Sequence, residues 1–459
     1  MRIVVVIVGC GLALAACKSR DGATRTTHAA RGADATTSPT PGPVAASAPG
    51  QRTIGARVAA GVVRGPVPAD EYHLLFATVA DADRARDASA RVLAGAGDAE
   101  VAPIALADTM FLPAALPYRG VELTDADRAG LRAATTALRV TVGHAASEPD
   151  HLAVDLHLAA AAARAGAGAG HGWIVDPYTS QVFSVASFDD KRPAGFAIGA
   201  HRMIIIDAVR DDGGGVFLET FGMARLGLPE LYIRGLPSSY RDDVVAIVNA
   251  AAQTLIEGGR LPRDGELDVD TAHLATEPWP TRHREVVAAG GTGKVTLGAT
   301  WSAGDDDHHN ANPEIALTIG DGSAVAVADA RRAFLGLDAD EVIHAARDDA
   351  ELAAASERAL VELAKLAPRF AHGVPDLEQL MVKAPFATDD GGVEWMWVEV
   401  HAWRGKRLSG VLANQPFSIA ALKEGAEVVV DQDELFDYTH RRADGTSAGG
   451  ETNAILERQ

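Results

Sequence analysis

The sequence predicts a multidomain α+β protein, with a mixed α/β domain in the N-terminal half and a small twisted sheet or SH3-like barrel under one covering helix at the C-terminus. Three observations point there. The chain has 459 residues, 47% hydrophobic and 23% charged, which is a globular composition too long for one ordinary core. Strand and helix patterns alternate between about Ile54 and Asp270, as α/β units require. After about residue 346 an amphipathic helix gives way to short strands punctuated by glycine turns.

Residues 1–17 carry an export leader. Arg2 supplies a positive start, Ile3 to Leu14 an apolar run, and Leu14-Ala15-Ala16-Cys17 small residues before a cysteine. The run is shorter than the roughly 18 to 20 residues needed to span a bilayer. This arrangement resembles the lipobox of bacterial lipoproteins, which implies cleavage before Cys17 and acylation of that residue. It implies a protein of the cell envelope, lipid-anchored to a membrane, with its folded part outside the cytoplasm. Both cysteines, Cys10 and Cys17, fall in this segment, so the remainder holds no disulfide and no thiolate site. The formal charge of −20 disfavours nucleic acid as a partner.

Residues 18–53 are rich in Ala, Thr, Ser, Pro and Gly and nearly free of large apolar side chains, which predicts a disordered tether. As a coil it spans roughly 30 to 35 Å.

Residues 54–275 form the predicted α/β domain. Tyr72–Val79 reads as a strand, Asp81–Leu93 as a helix, and Thr124 with Asp127 as the capping box of another helix. Arg139–Val142 reads as a short strand. His151–Arg164 is a helix that Gly166, Gly168 and Gly170 are expected to break, and Trp173–Asp176 a strand closed by Pro177. Met203–Ile206 lacks alternation, as a central strand would. Tyr240–Glu257 is the clearest helix, with Ser239 and Asp242 as its expected capping box. Within this span Thr220-Phe221-Gly222-Met223-Ala224-Arg225-Leu226-Gly227-Leu228-Pro229-Glu230-Leu231 resembles a bacterial domain family of unknown function, which implies no activity.

Residues 276–345 read as a β-rich connecting region, with Glu285–Ala289 and Lys294–Trp301 as a hairpin around Gly290-Gly291-Thr292-Gly293. Residues 346–459 follow as the tail domain, opened by the helix Asp348–Leu366. Its phrases Val382-Lys383-Ala384-Pro385-Phe386, Asp389-Asp390-Gly391-Gly392, Glu394-Trp395-Met396-Trp397-Val398-Glu399-Val400, Gly410-Val411-Leu412-Ala413-Asn414-Gln415-Pro416, Leu422-Lys423-Glu424-Gly425 and Gly449-Gly450-Glu451-Thr452 resemble the YegJ-type bacterial domain of unknown function. The resemblance implies a fold unit and no reaction.

The segment Glu394–Trp403 is the candidate site. Strand alternation sends Met396, Val398, Val400 and Ala402 to one face, the core, and Trp395, Trp397, Glu399, His401 and Trp403 to the other. That second face holds three of the chain's six tryptophans, and it is either buried under the tail helix or an aromatic binding surface.

Other motifs are weaker. Gly290–Lys294 has Ala288 and Val295 where a phosphate loop needs Gly and Ser or Thr. Gly445-Thr446-Ser447-Ala448-Gly449 matches a nucleophile-elbow string, but Arg441-Arg442-Ala443-Asp444 before it is no buried strand and no histidine follows. Asp305, Asp307, His308 and His309 belong to the best metal-like cluster, in a polar loop that reads more simply as solvated. His151 and His157 do not share a helix face. The sequence assigns no cofactor and no catalytic residue. It points to an envelope module that binds another protein or a cell-wall component, with a metal-dependent hydrolase as the alternative and the balance leaning away from an enzyme.

Overall fold

A computed structural model describes residues 3–7, 69–109, 111, 113, 119–143, 149–210, 215–258, 265–302, 313–337, 341–345, 350–375 and 378–456. Among these residues the chain builds three separate sheets, as an α+β multidomain protein.

The first sheet runs in the order Ala99–Ile104, Thr136–Val142, Asp70–Phe76, Trp173–Asp176, Gln181–Phe183, Gly120–Val121. Asp70–Phe76 is buried on both faces. Tyr72, Leu74 and Phe76 meet the helices Val79–Val92 and Pro149–Gly170, while Leu75 packs with Leu131 of the helix Asp125–Arg132. The Thr124–Asp127 capping box forms as expected. The glycines after Arg164 do not stop their helix, which continues to Gly170. A Cβ on Gly166 would come within 2.2 Å of Ser89 Oγ, and one on Gly170 within 2.6 Å of the Asp81 carbonyl. Those glycines let two helices approach closely, a tertiary demand that outweighs their poor helix propensity.

The second sheet runs Glu266–Asp270, Lys294–Ser302, Glu314–Ile319, Glu230–Leu236, Val216–Phe221, Ile205–Arg210. Leu218, Leu231, Ile233, Leu297, Ile315 and Leu317 face the helices Arg241–Ile256 and Ala324–Leu335. The expected boundary near residue 275 therefore falls inside one sheet, and residues 276–345 are not a separate connecting region. Glu285–Ala289 belongs to no hairpin: it lies at the C-terminal end of the helix Trp279–Ala288. Met203–Ile206 is not a central strand, because Ala200–Met203 is helical and Ile205–Arg210 lies at the sheet's end. Its uninterrupted apolar run reflects a helix end and an edge strand each burying side chains.

The third sheet is an antiparallel array of Glu427–Asp431, Arg407–Leu412, Val393–Arg404, Gln379–Ala387, Asp437–Arg441 and Ser447–Gly449, packed under the helix Ala350–Phe370. It is the twisted open sheet of the two expected forms, not a closed SH3-like barrel. Ile3–Ile7, within the expected leader, is a strand that pairs in parallel with Val393–Trp395 and antiparallel with Glu341–Ala345. No helix among the described residues is long and apolar enough to cross a membrane.

Candidate functional site

The strand Val393–Arg404 pairs with Gln379–Ala387 on one side and Arg407–Leu412 on the other. Alternation holds through Val400, which puts Met396, Val398 and Val400 in the core beneath Leu363 and Phe370. It fails at His401. Val400 pairs with Gly410 and Ala402 with Ser409, so one extra residue bulges and the phase flips. Trp403 consequently lands opposite Leu408 on the core face, 3% exposed, with its indole N–H donating to the Gly405 carbonyl at 3.0 Å. Strict alternation predicts the opposite side for it.

Trp397 does lie on that opposite side, yet it is 2% exposed. Its cross-strand neighbour Lys383 lays Nζ 5.3 Å from the indole centroid and donates to Asn453 Oδ1 at 2.9 Å. Burial pulls the Lys383 ammonium down to about 8, against the opposing influence of Asp437. Trp395 packs on Phe436, ring centroids 4.9 Å apart, beside Leu352, Ala355, Ile455 and Leu456. Trp397 and Trp403 are thus buried and Trp395 is partly covered, so the three do not form an exposed aromatic surface.

Glu399 also has a structural task. It accepts from the Ser238 and Ser239 backbone N–H groups at 2.8 Å each and from the Ser238 hydroxyl, at the turn that opens the helix Arg241–Ile256. The expected Ser239–Asp242 capping box is absent; the tail domain supplies the carboxylate instead, where the helix dipole favours it. Glu424 adds a second tie by taking both Arg331 and Arg332. His401 stays half-exposed on the bulge, its Nε2 3.4 Å from Glu427.

The motif phrases converge on one loop. Glu394, fully buried, accepts from the N–H groups of Phe417 and Ser418 at 2.8 and 2.9 Å. Asp389 accepts from Ala420 N–H at 2.9 Å and donates its own N–H to the Ser418 carbonyl at 3.0 Å. Asn414, also fully buried, accepts from the Trp397 N–H at 2.5 Å. Between these anchors Phe417 is 73% exposed, the most exposed of the large apolar side chains among the described residues. The quoted phrases contain Asp389, Glu394 and Asn414 but not the residue they hold out, because Phe417 falls just after the phrase that ends at Pro416.

Residues 349–459 match the family described as an uncharacterized protein conserved in bacteria, DUF2314. That span is about a quarter of the chain and holds the antiparallel array of the third sheet from Gln379 to Gly449 with its helices. It covers the region of the YegJ-type resemblance and assigns no activity. No curated protein and no solved structure matches the chain.

Outside the DUF2314 domain the chemistry sits at two places. The phrase Thr220–Leu231 contributes Arg225, which is fully buried with its Nε 2.7 Å from Asp70 Oδ1 and its Nη2 2.7 Å from Asp176 Oδ1. Arg192 adds a contact to Asp176 at 2.5 Å. The phrase is thus a tie between the first two sheets. Glu230 of the same phrase accepts from Thr220, Gly222 and Ala224, and burial still raises it to about 8.

On the second sheet, burial, with Glu314 and Asp207 nearby, raises Glu219 to about 7, while Asp207 pairs with Arg119 at 2.5 Å. A carboxyl whose folded pKa is raised adds stability that is complete below its unfolded value near 4.5 and is lost as pH climbs through about 7. Glu219→Gln is therefore expected to match the wild type near pH 4.5 and to exceed it by about 1 to 2 kcal/mol at pH 8.5, a figure reduced for solvent screening. Urea titrations at the two pH values check this, and equal gains at both would sink the linkage.

Asp305, Asp307, His308 and His309 lie outside the described residues, as does Cys17. Among the described residues no group of three or more His, Cys, Asp or Glu is placed to hold a metal ion. Gly445–Gly449 lies at a hairpin turn between Asp437–Arg441 and Ser447–Gly449, where Asp444 accepts from the Thr446 N–H and hydroxyl.

Proposed function

We propose that the protein is a lipid-anchored component of the bacterial cell envelope whose DUF2314 domain binds another envelope protein. The lipobox-like Leu14–Cys17 and the following tether support the anchoring. One observation carries the binding: Phe417 is held out into solvent by a loop whose amides are fixed by the buried Glu394. An aromatic side chain presented on a rigid backbone loses little entropy on docking, the usual make-up of an interface anchor.

Photo-crosslinking tests the reading. A photoreactive phenylalanine at position 417 in intact cells is expected to yield a discrete adduct that the same group at Val361, exposed on the tail helix, does not. Phe417→Ala should leave the melting temperature unchanged and weaken the captured partner by ~1 to 3 kcal/mol. Identical diffuse labelling at both positions would argue against a docking site. The anchor has its own test. Cys17→Ser removes the acylated thiol, so the variant should leave the detergent phase on partitioning; retention there after a high-salt wash would end the lipoprotein reading. Stoichiometric zinc or manganese in purified protein would favour the hydrolase alternative.

A further inference from the structure

We infer that the tail sheet carries a second binding site, for a phosphate group, at the tip of the hairpin joining Val393–Arg404 to Arg407–Leu412. A groove of ≈ 380 Å³ there is lined by His401, Ala402, Arg404, Arg407, Ser409 and Val429. Arg404 and Arg407 are direct cross-strand partners and so project on one face. Ala402 and Ser409 share that face, because the bulge at His401 has turned Trp403 and Leu408 inward.

The two guanidiniums are exposed, and neither makes an ion pair or hydrogen bond with the described residues. In a chain with 62 acidic and 42 basic residues, carboxylates are in surplus, so adjacent cations without one are notable. The carboxylates around the hairpin have other partners. Asp431, the cross-strand partner of Arg407, spends an oxygen on the Asp433 N–H at 2.9 Å. Lys406 in the turn takes Asp433, and Glu427 faces His401.

The donor set selects the ligand class. One guanidinium satisfies a planar carboxylate through two parallel bonds. Two guanidiniums with the Ser409 hydroxyl around an open groove, beside an imidazole that Glu427 faces, instead suit a tetrahedral oxyanion carrying more than one charge. Glu399 docks against Ser238 and Ser239 two residues before His401, while Arg404 and Arg407 at the hairpin tip stay exposed. This site is independent of Phe417.

The test uses the full chain bearing Cys17→Ser, so that no acyl chain contributes, with inorganic phosphate in titration calorimetry. Saturable one-to-one binding is expected, weakened about ten-fold or more by Arg404→Gln or Arg407→Gln and lost in the double variant. Both side chains are exposed, and unchanged melting confirms that the variants are folded. Vesicles of phosphatidylglycerol separate the two sources of the group. Capture that requires both arginines and is reversed by phosphate identifies a lipid headgroup, whereas phosphate binding without capture identifies a soluble phosphorylated ligand. Absence of saturable phosphate binding, equal binding by the double variant, or acetate binding as tightly as phosphate would overturn the site.

Discussion

Arg225→Ala is expected to be the most damaging single substitution outside the DUF2314 domain, costing about 3 to 5 kcal/mol, as for removal of one partner from a buried ionic group. The reason is what stays behind. Asp70 and Asp176 are both fully buried, and Arg225 sits against each of them. Without it, Arg192 still reaches Asp176, but Asp70 loses the guanidinium that lies 2.7 Å from its Oδ1. The guanidinium also lies 5.1 Å from the Tyr72 ring centroid and 4.5 Å from that of Tyr178, contacts a smaller side chain forfeits. Because Arg225 comes from the second sheet's loop and both aspartates from the first sheet, the loss falls on their union. Calorimetry of the full chain should show that transition lowered by roughly 6 to 20 °C for a unit of this size.

The pH dependence gives an independent check. Desolvation works against the charged form of Asp176, yet Arg225 and Arg192 hold it well below the usual carboxylate range. A depressed carboxyl adds stability above its unfolded pKa and loses it as pH falls through the folded value, so the wild type should weaken on acidification. The variant should show a shallower acid response. A variant that melts within a degree or two of the wild type would mean that the cluster contributes no net stability.

What was legible in the chain follows the range of the interactions. Elements set by local pattern were found: the Thr124–Asp127 cap, the helix at Arg241–Ile256 and the strands around Trp397 all follow from neighbouring residues. Features set by distant partners were not. Gly166 and Gly170 look like helix stops until Ser89 and Asp81 are seen across the contact. The cap of Arg241–Ile256 comes from Glu399, some 160 residues away. The bulge at His401 leaves no mark in the alternation, and it alone decides that Trp403 turns inward and that Arg404 and Arg407 line a groove. Arg225 illustrates the same limit, since the phrase around it was recognisable while its partners Asp70 and Asp176 carried no motif of their own.

Trp397→Ala is the corresponding test within the DUF2314 domain and is expected to cost about 3 to 5 kcal/mol, the range for emptying a buried aromatic site. An exposed aromatic surface would show almost no loss of stability, so melting of the full chain distinguishes the two. Lys383 supplies a second readout. Its ammonium, pulled down to about 8 from 10.5, titrates in the fold at lower pH than in the unfolded chain. The unfolded state then binds more protons between those values, and stability should rise with pH across the window. Removing the indole takes away the cation–π contact and opens the burial that depresses Lys383 to water. In the variant, the Lys383 pKa should return toward its ordinary value and the rise in stability between pH 8 and 10 should flatten. Trp395→Ala, which removes a ring only partly buried against Phe436, should cost less and leave that rise intact. A variant lacking Trp397 that lost stability but kept the full alkaline rise would show that the ring fills space without governing the lysine.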